Sequence, residues 1–129
     1  MIIDSSVIMA ILFEEIDALH FTTVIANVDQ CFVSAGSWIE LGAVITRRNP
    51  DLSASLAALE RESELQIAAV TAEQARIGYD AYRRFGRGTG HPANLNFGDC
   101  FAYALSRTTG EPLLFKGDDF AQTDVIAAL

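Results

Sequence analysis

Short apolar segments and longer amphipathic segments take turns along the chain. Met1–Asp4, Cys31–Ser34, Leu65–Val70 and Leu113–Phe115 are brief and largely apolar, as strands buried on both faces are. Asp124–Ile126 reads as a short last strand. Between them, apolar positions recur at helical spacing. Ser6–Phe13 and Asp17–Asn27 are predicted helices, the second carrying Ala18, Phe21, Val24, Ile25 and Val28 along one face. Ser37–Arg48 is a third, stopped before Pro50, and Leu52–Glu62 a fourth. Ala72–Phe85 is a long helix capped by Thr71, and Asn96–Thr108 ends at Gly110. Gly86–Leu95 is a glycine-rich connector. This alternation predicts an α/β fold, with a parallel central sheet of about four to five strands and helices on both faces. No repeat or linker interrupts residues 1–129, which are expected to form one domain.

Composition adds a puzzle. Half of the 129 residues are hydrophobic, ample for a core, yet seventeen acidic residues face nine basic ones, a net charge of −8. That balance argues against a plain electrostatic nucleic-acid binder and against binding to anionic membranes. No apolar run approaches the ~20 residues of a membrane span. The start, Met1-Ile2-Ile3-Asp4, lacks the basic region of a signal peptide. Cys31 and Cys100 lie in apolar segments without metal-ligand spacing, so both are read as free thiols in a reducing cytoplasm.

Most acidic residues fall in polar stretches and read as solvated surface. Four positions interrupt apolar segments instead. Asp4 ends the first strand and is placed to cap the following helix. Ser37 and Glu40 have capping-box spacing, as do Asn96 and Asp99. Asp118 and Asp119 follow the fourth strand in a turn. Each has a local structural explanation, but their joint placement adds another. In a parallel sheet, Asp4, Glu40 and Asp118 or Asp119 all fall beyond the carboxyl ends of strands, where functional groups gather. Asp99 joins them if the chain climbs back after the long helix. That helix is about 20 Å long at ~1.5 Å per residue. Gly86–Leu95 could span roughly 30 Å at ~3.3 Å per residue.

Four carboxylates at one edge repel one another. A hard divalent cation resolves the conflict, and all-oxygen ligands suit Mg²⁺ or Mn²⁺. Such a centre activates water and stabilises a phosphoryl transition state, so phosphodiester hydrolysis is the expected chemistry. Ser5, Ser6 and Asn96 are candidate hydrogen-bonding groups that orient the acids.

Asp4-Ser-Ser, Glu40 in a buried helix, Asn96-Phe-Gly-Asp99-Cys and Leu113-Leu-Phe-Lys-Gly-Asp-Asp-Phe120 together resemble the PIN-domain ribonucleases. Within that group the chain is similar to the VapC toxins of bacterial toxin–antitoxin pairs, over essentially its whole length. The resemblance implies a PIN-like fold and a Mg²⁺- or Mn²⁺-dependent endoribonuclease acting on single-stranded regions of RNA. It also implies a cytoplasmic homodimer inhibited by a VapB-type antitoxin. Asp4, Asp99 and Asp119 are the implied metal ligands, with Glu40 as a further catalytic acid. The family keeps Asp-Phe after the fourth strand, which favours Asp119, with Asp118 as the alternative.

Gly86-Arg87-Gly88-Thr89-Gly90 follows a helix rather than a strand, so it is not a phosphate-binding loop of the nucleotide-fold type. Arg83, Arg84, Arg87 and His91 cluster beside it. They read either as a solvated helix end or, for the three arginines, as contacts to RNA phosphates. Trp38, Phe97, Phe101 and Tyr103 are expected in the core. The first two helices could offer an apolar groove to an antitoxin helix. A nuclease acting on structured RNA or DNA, and a non-catalytic module whose acids only cap helices, are the alternative readings.

Overall fold

The structure, a computed structural model, describes residues 1–129. Four strands, β1 (Ile2–Ile3), β2 (Phe32–Ser34), β3 (Gln66–Ala68) and β4 (Leu113–Leu114), form one sheet in the order β3-β2-β1-β4. All pairings are parallel, with Ile2 opposite both Phe32 and Leu113, and Ile3 opposite Leu114. The helices are α1 (Ser5–Leu12), α2 (Ala18–Ala26), α3 (Ala35–Arg48), α4 (Leu52–Glu62), α5 (Ala72–Phe85) and α6 (Asp99–Thr109).

The sheet is short because strand and helix meet without intervening loops. Asp4 and Ser34 each end a strand in extended conformation and cap the next helix through their own side chains. Residues alternate across the sheet, so neighbours in β1 and β4 face opposite cores. Ile3, Val33 and Leu114 join Val7, Ile8, Phe21, Leu41, Ile45 and Leu56 of α1–α4. Ile2 and Leu113 join Ala81, Phe85, Tyr103 and Leu105 of α5 and α6.

Strand order explains this division. The chain moves from β1 to β2 to β3 in one direction, then crosses back to place β4 on the other side of β1. Right-handed crossovers in opposite directions put their helices on opposite faces. The reversal also opens a crevice between the carboxyl ends of β1 and β4, where such sheets bind ligands.

Three expectations are corrected. Gly86–Leu95 is not an extended climb. Gly86 bridges Leu95, the Arg87 N–H donates to the Leu95 carbonyl at 2.9 Å, and the Leu95 N–H donates to the Phe85 carbonyl at 2.9 Å. The loop closes on itself, and residues 96–98 carry the chain on to α6. Thr89 stabilises the closure by donating its hydroxyl to the Gly86 carbonyl. The final strand is a single bridge from Leu113 to Ala127 rather than a ladder over Asp124–Ile126. Phe97 is 75% exposed rather than in the core, whereas Tyr103 is buried as expected.

Gly36 governs how α3 meets α6. A Cβ there would overlap the Phe101 ring. These helices carry Glu40 and Asp99, so the close approach matters for both. Gly36→Ala is expected to destabilise the fold by about 1–3 kcal/mol through overpacking. A lowered urea midpoint with unchanged far-ultraviolet circular dichroism checks this; an unchanged midpoint contradicts it.

Candidate active site

Asp4 sits where the crevice opens. Its N–H donates to the Leu114 carbonyl at 2.9 Å, continuing the β1–β4 ladder, while its Oδ2 accepts the Ser6 N–H at 3.0 Å. The expected helix cap is therefore present. The residue is nevertheless only 4% exposed. Burial pushes its carboxyl pKa above the usual range, the hydrogen bonds from Ser6 and Ser5 oppose that, and nearby Asp119 raises it further.

Glu40 differs from the expectation. Helix α3 begins at Ala35, and Ser34 takes the cap by accepting the Gly36 N–H at 3.3 Å. Glu40 is then on the second turn, beyond capping reach, and the buried Ser37 hydroxyl has no hydrogen-bond partner. The Ser37–Glu40 capping box does not form. The Glu40 carboxylate lies against Gly98 instead, where a Cβ would collide with it. Burial and the charge of Asp4 raise its pKa.

Asn96 and Asp99 do form a reciprocal box. The Asn96 N–H donates to Asp99 Oδ2 at 2.9 Å, and the Asp99 N–H donates to Asn96 Oδ1 at 2.8 Å. The regular helix starts at Asp99, three residues later than predicted, because this box supplies the bonds of the entry turn. Burial pushes Asp99 up to a pKa of about 7, and Asp4, Asp119 and Glu40 add to the rise against the hydrogen bond from Asn96. One carboxylate thus feels the other three.

Asp119 starts the final 3₁₀ turn, Phe120–Gln122, with no side-chain capping bond. It acts electrostatically on both Asp4 and Asp99, whereas Asp118 is not among the charges acting on either. Of the doublet, Asp119 faces the cluster. Ser5 is buried beside Asp4, and the Ser6 hydroxyl accepts the Lys116 N–H at 3.1 Å.

The arginines are less available than the sequence suggests. Arg83 and Arg84 pair with Asp80 at 3.1 and 3.3 Å, and Arg84 also reaches Asp124 at 3.1 Å. His91 Nδ1 accepts the Ala93 N–H at 3.1 Å, and its ring packs on Phe85. The Asp80 pairs lie three and four residues apart on one helix, a spacing legible in the sequence, whereas the Arg84–Asp124 pair spans 40 residues and is not. The same distance hides the role of Lys116, whose ammonium pairs with Glu15 and Asp17 from the α1–α2 connection, about a hundred residues earlier.

The donor set fits a hard divalent cation. Asp4, Glu40, Asp99 and Asp119 offer only oxygen, and burial, with repulsion added, disfavours the charged forms of Asp4, Glu40 and Asp99. No three acidic, histidine or cysteine side chains enclose a common metal position. A hard cation that takes one or two carboxylates and keeps several waters needs no such enclosure.

The PIN domain profile matches residues 1–126. This chain belongs to the PIN domain family. Ribonuclease VapC28 of Mycobacterium tuberculosis is 48% identical over 130 residues, covering 100% of this chain and 98% of that protein. Ribonuclease VapC of Mycolicibacterium smegmatis is 41% identical, covering 98% of each. Among solved structures, the sarcin–ricin loop cleaving toxin VapC20 of M. tuberculosis superposes with a TM-score of 0.74 at 17% identity, covering 97% of this chain and 95% of that one. A toxin–antitoxin complex from Klebsiella pneumoniae gives 0.70 at 14% identity, covering 98% and 95%.

In this PIN domain Asp99 links stability to pH. Its carboxyl is raised from 3.8 to about 7, so the folded state holds the proton more tightly than the unfolded state. The charge therefore opposes folding above about pH 7 and ceases to do so as pH falls towards 4. Asp99→Asn keeps an oxygen for the Asn96 N–H and removes the charge. Without metal at pH 8 it is expected to raise Tm by about 3–8 °C, an advantage that fades as pH falls to about 4. A lowered Tm at pH 8 would mean that the cap outweighs the repulsion.

Proposed function

We propose that this chain is a metal-dependent endoribonuclease of the VapC toxin type, a single nuclease domain spanning residues 1–129. The observation that carries the reading is the grouping of Asp4, Glu40, Asp99 and Asp119 at the crevice between β1 and β4, where burial and mutual repulsion raise the pKa values of Asp4, Glu40 and Asp99. The full-length likeness to named VapC ribonucleases supports the same reading.

Asp4, Asp99 and Asp119 would hold Mg²⁺ or Mn²⁺, one or two of them directly and the rest through the waters the ion keeps. The bound ion supplies positive charge for the scissile phosphate and lowers the pKa of water. Ser6 orients Asp4 through its backbone N–H, and Asn96 orients Asp99 through the reciprocal box. Glu40, with its pKa raised by burial and by Asp4, is placed to take or return a proton at its carboxylate oxygens. The substrate is RNA in an unpaired region, since a single strand can bend its backbone into the crevice. Arg87, exposed and outside the ion pairs of its neighbours, is the best placed of the three arginines to meet a phosphate.

Two apolar surfaces fit the remaining partners. Val70, Tyr79, Tyr82 and Phe97 expose apolar area around a groove of about 530 Å³ between α5 and α6, and Ile39 of α3 lies in a neighbouring pocket that shares Phe97. This face suits a second copy of the chain. Ile16 and Leu19 project from the α1–α2 region among Glu14, Glu15 and Asp17, which suits an amphipathic, basic helix of a VapB-type antitoxin. No helix is long and apolar enough to cross a membrane, and a cytoplasmic site of action agrees with an RNA target.

Incubation of the purified, partner-free protein with RNA tests the activity. Cleavage should require Mg²⁺ or Mn²⁺, stop with EDTA, and fall at least about 100-fold in Asp4→Asn and Asp99→Asn. Asp119→Asn should be far more damaging than Asp118→Asn. Cleavage that persists in EDTA, or survives both the Asp4 and Asp99 substitutions, rules out the metal-nuclease reading.

A further inference from the structure

The β1–β4 ladder is completed by a side chain. The Ile2 N–H donates to the Pro112 carbonyl at 2.8 Å, and the Asp4 N–H donates to the Leu114 carbonyl at 2.9 Å. A parallel ladder would next ask the Asp4 carbonyl to accept the Lys116 N–H. That carbonyl already accepts the Val7 N–H at 3.1 Å, as the first turn of α1. The Ser6 hydroxyl takes its place and accepts the Lys116 N–H at 3.1 Å. The backbone of Lys116 is thereby tied to the residue whose own N–H holds Asp4.

The side chain of Lys116 makes a second tie. Its ammonium pairs with Glu15 and, at 3.0 Å, with Asp17. Glu15 is itself fixed, because its N–H donates to the Ala10 carbonyl at 2.9 Å after Glu14 turns the chain at φ 52°. Beyond Lys116 the chain turns at Gly117, with φ 92°, passes Asp118 and Asp119, and is caught again by the buried Phe120. Asp119 has no side-chain capping bond of its own. Its position is therefore set by the anchors on either side.

We infer that Lys116 is a positioning residue: its tie to Glu15 and Asp17 fixes the turn that presents Asp119 to Asp4 and Asp99. Its charge is taken up by Glu15 and Asp17, so it does not serve as a neutralising partner for the four acids. The inference rests on the reading of Asp119 as a metal-holding acid. It adds a chain of support from the α1–α2 connection to the fourth acid of the site.

The test measures Mn²⁺ affinity by calorimetry on RNA-free protein, together with kcat and KM for RNA. Lys116→Met should weaken Mn²⁺ binding and lower kcat by about 10-fold each, as loss of an orienting partner does. The KM for RNA should stay within about twofold, because no substrate contact is lost. Exposed ion pairs add little to stability, so Tm should fall by no more than about 3 °C. Glu15→Gln with Asp17→Asn should reproduce the defect, and Lys116→Arg should restore most of it. In an Asp119→Asn background, Lys116→Met should weaken Mn²⁺ binding no further. Normal Mn²⁺ affinity and kcat in Lys116→Met overturn the inference, as does a further loss of affinity in the Asp119→Asn background. A change confined to KM would make Lys116 an RNA contact instead. A wild-type protein that binds no Mn²⁺ would overturn the metal reading itself, and the inference with it.

Discussion

Asp4 is a carboxylate at the end of the central strand, 4% exposed, with a hydrogen bond from Ser6 that only partly offsets its burial. Much of the surrounding architecture follows from keeping that group in place. The strand before it must be short, because the chain turns into α1 at once and spends the Asp4 carbonyl on the first helical bond. The fourth strand must lie beside it, since the Leu114 carbonyl accepts the Asp4 N–H. That adjacency requires the reversal of strand order, which in turn divides α1–α4 from α5–α6 across the sheet. The fold and the acidic crevice are one consequence seen twice.

Local chemistry was readable where it involved residues close in sequence. Asp4 as a cap, the Asn96–Asp99 box and Thr71 before α5 all needed only spacing, and all are present. The acidic edge was readable because parallel topology collects strand ends without knowledge of any side-chain position. Choices between competing local partners, and contacts between distant residues, were not. The Ser37–Glu40 box failed because Ser34, the last residue of β2, was the better-placed cap. Nothing in the spacing of Gly98 and Glu40 indicates that one makes room for the other. Gly86–Leu95 has the length for a long reach, yet it is pinched shut by its own backbone hydrogen bonds.

Asp99 shows that a structural and a chemical role need not compete. Its Oδ2 accepts the Asn96 N–H, which would explain the residue if nothing else were nearby. That bond also fixes the direction of the carboxylate, and a fixed carboxylate at a crowded edge cannot relax away from Asp4, Glu40 and Asp119. The cap thus enforces the repulsion. A group locked in that state gains more from a cation than a mobile one does, since less ordering remains to be done when the ion arrives.

The excess negative charge takes on a different meaning at this scale. Away from the crevice, four of the nine basic side chains are held in ion pairs: Arg83, Arg84 and Arg107 with Asp80 or Asp124, and Lys116 with Glu15 and Asp17. None of the ion pairs reaches Asp4, Glu40, Asp99 or Asp119, so the four acids at the β1–β4 crevice are not offset by a paired base. An overall charge of −8 therefore says little about nucleic acid as a partner. What decides the matter is whether the field at the crevice stays negative, and a bound divalent ion inverts it where the phosphate must lie. The protein leaves these acids without a paired cation of its own, and on the proposed function a metal from solution supplies the missing charge.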